Sequence, residues 1–277
     1  MLISVPELMD RLPEESIRIF DCRFSLLNPD AGFQAYHEGH IPGAGFFDLE
    51  KDLSGQPGPT TGRHPLPDAH RFGRLAGERG ITAEATIVAY DDGPGSTAAR
   101  LWWMLGWLGH TNVQVLDGGL AKWIECGGRL KGGAESYPSS GFSPQLFERK
   151  WITTDQLVSE IANDDCLVID ARESQRFLGK VEPIDKVAGH IPGSVNRPFS
   201  HNLSDGVFKS KDQLLERFSP LITHRPANEI VHSCGSGVTA CHNLLAMELA
   251  GLKGSRLFAG SWSEWITDPS RPVSCPG

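Results

Sequence analysis

The sequence lacks most of what marks an exported, membrane-bound or nucleic-acid-binding chain. Cysteine is sparse: Cys22, Cys126, Cys166, Cys234, Cys241 and Cys275 are too few and too scattered for a disulfide scaffold. No CxxC or Cys/His spacing suggests zinc, so no metal and no organic cofactor is expected. The longest nearly apolar stretch, Leu101 to Gly109, falls far short of the ~18 residues of a membrane helix, so no membrane partner is expected either. The opening MLISVPELMD has neither the basic start nor the apolar run of a secretory signal. A cytoplasmic setting follows, in which a thiol stays reduced and can serve as a nucleophile. Acidic residues outnumber basic ones, giving a net charge of −8. The overall basic footprint of a nucleic-acid binder is therefore missing, although a local basic site for a small anion is not excluded. What is present is an ordinary globular composition, 39% hydrophobic and 22% charged over 277 residues, enough for about two domains.

A repeat organises the chain. Gly39-His40-Ile41-Pro42-Gly43-Ala44 returns as Gly189-His190-Ile191-Pro192-Gly193-Ser194. Upstream of each lies a strand-like run ending in Asp-x-Arg: Ile17–Phe20 before Asp21-Cys22-Arg23, and Leu167–Ile169 before Asp170-Ala171-Arg172. Each half begins with a helix-cap signal, Ser4 with Glu7 and Thr153 with Gln156. Downstream, a second strand at Thr86–Tyr90 answers one at Glu229–Ser233, each followed by a glycine-containing turn and a helical pattern from Thr97 or Thr239. The halves close alike, on Trp123 and Trp265. The offset is 149 residues at Asp-x-Arg, 150 at the histidine and 142 at the tryptophan, as two copies with local insertions require. Strands alternating with helical patterns predict an α/β fold of two domains, each a mainly parallel sheet flanked by helices. The expected boundaries are 1–131, a Gly/Ser/Pro-rich linker over 132–150, and 151–277.

The two copies differ where chemistry is expected. In open α/β sheets ligands bind at the carboxyl ends of strands. After the second matched strand the first copy reads Asp91-Asp92-Gly93-Pro94-Gly95-Ser96, whereas the second reads Cys234-Gly235-Ser236-Gly237-Val238-Thr239. Glycines that let the backbone curl, followed by a helix start, make an anion nest. The same field favours thiolate and would stabilise a persulfide. As an isolated pattern, Cys-Gly-x-Gly is as compatible with a small buried residue beside a turn; its strand–loop–helix setting in a repeated domain favours function. A phosphatase would need a cation at Cys-x5-Arg spacing, but position 240 is alanine. No local signature of a cysteine hydrolase surrounds Cys234, and His232, two residues earlier on the same strand face, need not reach it. The tightness of the loop suits a group as small as one sulfur atom, and sulfur transfer fits best.

On the motifs Tyr36-x3-His40-Ile41-Pro42-Gly43-Ala44-x2-Phe47, Gly189–Ser194, Cys234–Ala240 and Gly260-Ser261-Trp262-Ser263-Glu264-Trp265, the chain resembles the rhodanese superfamily, specifically its tandem-domain sulfurtransferases. The resemblance runs from the first helix to Trp265. It implies an inactive first domain, with Asp91 in place of the cysteine, and an active second domain whose Cys234 carries the persulfide. The loop resembles that of the 3-mercaptopyruvate members, because thiosulfate members carry Arg and Lys after the cysteine. The amides of Gly235, Gly237, Val238 and Thr239, with the Ser236 hydroxyl, would then hold a small anionic donor. Arg176 matches the family arginine that binds the substrate carboxylate, a task suited to a bidentate guanidinium. A second family arginine, in Glu-Pro-Arg, is absent: Glu182-Pro183 is followed by Ile184, and Lys180 or Lys186 would have to supply the charge. The implied acceptor is cyanide, a small thiol or a protein thiol. Thiosulfate:cyanide transfer is the alternative activity, and a non-catalytic partner-binding module the alternative of another class.

His40 has a counterpart in His190, which favours a structural role, while the resemblance implies that it polarises the loop serine. Arg23 and Arg172 read as structural partners of Asp21 and Asp170 at the surface or rim. Trp102, Trp103, Trp107, Trp262 and Trp265 read as packing residues. Arg63 and His64, in a Gly/Pro-rich loop, read as solvated.

Overall fold

The computed structural model describes every residue except Pro13, Glu148, Arg149, His224, Pro276 and Gly277, so two positions of the expected linker and the last two of the chain lie outside the described residues. The chain forms two compact units. One comprises Met1–Gly55, Leu66–Phe147 and Asp205–Val207; the other comprises Gln56–Pro65, Glu148–Ser204 and Phe208–Gly277. Among the described residues no helix is long and apolar enough to cross a membrane.

The first unit runs β1 (Leu2–Ile3), α1 (Val5–Arg11), β2 (Ile17–Asp21), α2 (Ala31–Glu38), β3 (Gly45–Phe46), α3 (Ala69–Glu78), β4 (Thr86–Tyr90), α4 (Ser96–Trp107), β5 (Val113–Leu116) and α5 (Gly119–Glu125). Its parallel sheet has the order β1-β5-β4-β2-β3. Strand β4 is buried at every position, which explains its continuous apolar run where a half-exposed strand would alternate. Ile3, Leu8, Ile19, Val88, Leu116 and Trp123 join one core.

The second unit holds α6 (Thr154–Ala162), β6 (Leu167–Asp170), α7 (Ser174–Phe177), β7 (Val195–Asn196), β8 (Leu203–Ser204), α8 (Lys211–Ile222), β10 (Ile230–Ser233), α9 (Thr239–Leu249), β11 (Arg256–Leu257) and α10 (Ser261–Trp265), with β9 (Val207–Phe208) falling where the chain passes between units. Its sheet order is β11-β10-β6-β7, and a parallel bridge from Trp151 to Leu257 stands where β1 stands in the first unit. The predicted strands are present to within a residue. Thr153 and Gln156 close the expected capping box on α6, and Ser4 accepts from the Glu7 amide on α1.

The repeat extends to its polar interior. Arg23 binds Asp21 and the Gly39 carbonyl; Arg172 binds Asp170 and the Gly189 carbonyl. Both pairs are buried, not at the rim as the sequence suggested. Each caps its strand end with charge that the glycine carbonyl completes, as burial of an ion pair requires. His40 stacks on Tyr36 and His190 on Phe177, and their backbones form antiparallel bridges to Lys131 and Ser274 respectively.

The first-copy loop after β4 shows what its curled backbone demands. Asp91 Oδ1 accepts from the amides of Gly93 (3.1 Å) and Gly95 (2.8 Å), while Oδ2 accepts from the Thr97 amide and hydroxyl, both at 3.0 Å. The aspartate fills an anion nest at the start of α4. Replacing Asp91 with alanine strands these donors, and we expect a loss of about 3 kcal/mol of stability, measured by denaturant unfolding.

Candidate active site

Cys234 follows the last residue of β10 and is buried, 2% exposed. The turn behind it depends on Gly237, whose φ of +79° is left-handed and whose missing side chain would strike the Ala259 carbonyl. So placed, the Gly237 amide donates to Cys234 Sγ at 3.1 Å. Val238 then caps α9. The loop is held from its other side by α10: the amides of Trp262 and Ser263 donate to the carbonyls of Cys234 and Gly235, both at 3.0 Å. Ser261, itself left-handed at φ +53° and fully buried, accepts from the Cys234 amide at 3.0 Å and lies 3.9 Å from its sulfur. Where the first copy offers amides to a carboxylate, the second offers one to a sulfur.

The loop serine is joined to a histidine that the sequence reading set aside. Ser236 Oγ lies 2.8 Å from His64 Nδ1, and both residues are buried. His64 is therefore not solvated: segment 56–65 belongs to the second unit, tied there by the Arg63 amide donating to Ser263 Oγ (3.1 Å) and the Gly62 amide to Glu264 (3.3 Å). The contact with Ser236 that the resemblance implied for His40 is made by His64. His40 has both ring nitrogens engaged in the first unit, Nδ1 on the Tyr36 carbonyl (2.8 Å) and Nε2 on Glu135 (3.1 Å). With His190 bound in the same way to the Phe177 carbonyl, its role is structural.

Arg176, on α7, reaches the loop together with Arg63. A side chain built on Gly235 would meet Arg63 Nη2 at 3.0 Å and Arg176 Nη1 at 3.6 Å, so both guanidiniums crowd the face of the residue next to Cys234. A second cation beside the loop, for which the sequence offered Lys180 or Lys186, is present in Arg63. Arg176 pairs with Glu182 and Asp185, and Arg63 with Asp185. Burial disfavours charge on Glu182, yet the hydrogen bonds from Arg176 and from the amides of Asp185 and Ile184 outweigh it and hold the carboxyl below its usual range. Ile184 itself is exposed and, with Pro57, Pro59, Arg63, Asp185 and Lys186, lines a cavity of about 490 Å³.

Three of the other thiols are buried, whereas Cys126 and Cys275 are exposed. Burial pushes Cys22 up, and pushes Cys166 up to about 12. Cys241 is sealed behind the loop, its sulfur 3.3 Å from the Gly237 carbonyl. The five tryptophans of the two expected packing groups are buried, Trp262 and Trp265 in the core of the second unit. His232 does not face the thiol: its Nε2 lies 3.2 Å from Met247 Sδ.

Comparison with known proteins agrees with this architecture. The family model described as Rhodanese-like domain matches residues 4–126 and 153–268, and the chain belongs to that family. A relative from Pseudomonas aeruginosa, provisionally named a 3-mercaptopyruvate sulfurtransferase, is 48% identical over 99% of this chain and 97% of its own. One from Mycobacterium tuberculosis, provisionally named a thiosulfate sulfurtransferase, is 38% identical over 99% of this chain and 96% of its own. The solved 3-mercaptopyruvate sulfurtransferase from Leishmania major superimposes with a TM-score of 0.84 at 30% identity, covering 98% of this chain and 75% of that one.

Burial holds His232 neutral, lowering its pKa to about 3 from the 6.5 of an exposed imidazole. The unfolded chain therefore binds a proton that the folded chain refuses. The contribution of His232 to stability is complete above about pH 6.5 and is lost as pH falls toward about 3. Substituting His232→Leu removes this dependence. Chemical denaturation of both proteins is expected to show the stability difference shifting in favour of the variant as pH drops from about 7 to about 4.

Proposed function

We propose that the protein is a sulfurtransferase that takes sulfur from 3-mercaptopyruvate onto Cys234 as a persulfide and passes it to a nucleophilic acceptor. The observation that carries this reading is the environment of one sulfur atom: Cys234 Sγ accepts the Gly237 amide at the start of α9, beside a Ser236–His64 pair and under two arginines. An amide on the sulfur and a helix start behind it are donors suited to a bound persulfide sulfur.

In the first half-reaction the Cys234 thiolate attacks the sulfur of the donor. The new S–S bond forms as the carbon–sulfur bond breaks, and its electron pair leaves on carbon as the enolate of pyruvate. The thiol proton moves from sulfur to that carbon through the Ser236–His64 pair, leaving a persulfide anion and pyruvate. Amides of Gly235, Gly237, Val238 and Thr239 hold the extra sulfur, as those of the first copy hold Asp91. The donor carboxylate is bound by Arg176 and Arg63. In the second half-reaction cyanide, a small thiol or a protein thiol takes the outer sulfur and restores the Cys234 thiolate. No step calls on a metal or an organic cofactor.

On this reading the first domain, 1–131, supplies no nucleophile because Asp91 stands where it would be, although its segment 56–65 brings Arg63 and His64 to the cysteine loop; 132–150 is the linker; and 151–277 carries the cysteine, in a cytoplasmic enzyme. Thiosulfate is the second donor to test, favoured by the Mycobacterium tuberculosis relative.

Cys234→Ser is expected to abolish sulfur transfer to cyanide while leaving the circular dichroism spectrum unchanged. Wild-type protein exposed to 3-mercaptopyruvate should gain about 32 Da, lost again on adding cyanide; no gain would overturn the persulfide. His64→Asn is expected to lower kcat by about 10²-fold, since it removes a proton carrier and not the nucleophile.

A further inference from the structure

Four charges meet above the cysteine loop, and they cancel. Arg63 and Arg176 face Glu182 and Asp185. The two carboxylates are held in different ways. Glu182 binds Arg176 through Nε and Nη2, lies 3.5 Å from Arg172, and accepts the amides of Ile184 and Asp185 at 3.0 Å each. It is part of the local frame. Asp185 accepts from each guanidinium, Oδ1 from Arg63 Nη1 and Oδ2 from Arg176 Nη2 at 3.0 Å, and its carboxylate makes no other hydrogen bond among the described residues. Its side chain is nonetheless only 4% exposed. Arg63 Nε, also buried, has no hydrogen-bond partner there.

A carboxylate that bridges two guanidiniums beside a nucleophilic sulfur occupies the place a substrate carboxylate needs. We propose that Asp185 is a specificity-determining latch: it holds Arg63 and Arg176 together at the mouth of the Cys234 loop and competes with the incoming donor's carboxylate for their N–H groups. The inference rests on reading that loop as a sulfur-transfer site, and adds what selects the donor. With Asp185 in place Arg63 and Arg176 are matched by two carboxylates, so an anion gains little from these two cations at long range and takes its position by displacing Asp185 in matched, two-oxygen geometry. A planar carboxylate does this as well as Asp185 does. A tetrahedral dianion is left without the net positive charge that would favour it. Asp185 sits one residue after Ile184, so where Glu-Pro-Arg would add a cation this chain has none, and its next residue is the anion that bridges the two guanidiniums.

The test is Asp185→Asn, which keeps the shape and deletes the charge. Cys234 alkylation by iodoacetate, an anion, is compared with alkylation by neutral iodoacetamide, both followed by mass. The latch predicts that the iodoacetate-to-iodoacetamide rate ratio rises about tenfold in the variant, and that KM for 3-mercaptopyruvate falls by a similar factor. It also predicts that kcat/KM for thiosulfate gains more than that for 3-mercaptopyruvate. A residue that merely positions the arginines gives the opposite sign, a raised KM and a lower ratio; that result, or no change, overturns the proposal. Should the asparagine variant lose its native circular dichroism, Asp185→Ser is read by the same two measurements. If wild-type protein takes cyanide-labile sulfur from neither donor, the sulfur-transfer reading fails, and the alkylation ratio alone decides whether the latch exists.

Discussion

A backbone curled so that its amides point inward has to be given a negative charge, and both halves of this protein are built around that requirement. In the first, a carboxylate satisfies it internally, with Asp91 taking the amides of Gly93, Gly95 and Thr97. In the second, the amide of Gly237 is turned on a sulfur. Unpaired donors in a buried loop are costly enough that the conformation persists only with its anion. The second loop is therefore suited to a group that arrives and leaves as an anion, and a sulfur atom riding on a thiolate is such a group. The paired Asp–Arg–carbonyl motifs at the strand ends keep the two loops in matching positions on their sheets.

Most of the architecture was legible because it is written twice. Strand positions, the glycine turns, the capped helices and the exchange of cysteine for aspartate all follow from setting one half against the other. Within the site, Cys234, Ser236 and Arg176 lie near recognisable signals. The residues that reading missed are those whose partners are distant in sequence. His64 meets Ser236 and Arg63 meets Asp185 across more than a hundred positions, and a Gly/Pro-rich loop carries no periodicity to say which surface it will lie on. One clue was available: Arg63 and His64 have no counterpart in the other copy, as expected of residues kept for chemistry and not for the fold. His40 misled for the complementary reason. Its motif is strong, but the motif serves the stacking and carbonyl contact that His190 repeats.

Charge at the site is managed by pairing and reactivity by burial. The arginines beside the loop are present but matched by carboxylates, in a protein that is itself acidic. Two other thiols, Cys22 and Cys166, are shifted toward their protonated forms by the apolar surroundings that bury them. Burial thus sets these two thiols apart without any difference in the intrinsic nature of the side chains.

The segment 56–65 gives the two copies a shared ancestry but not a shared independence. It is encoded within the first half of the gene, yet it folds with the second unit and brings Arg63 and His64 to the cysteine loop. A gene split at the linker would hand the nucleophile to one product and its histidine to the other. Duplication supplied two similar domains, and this loop made them inseparable. The half with Asp91 in the cysteine's position still supplies the segment that meets the other's cysteine loop.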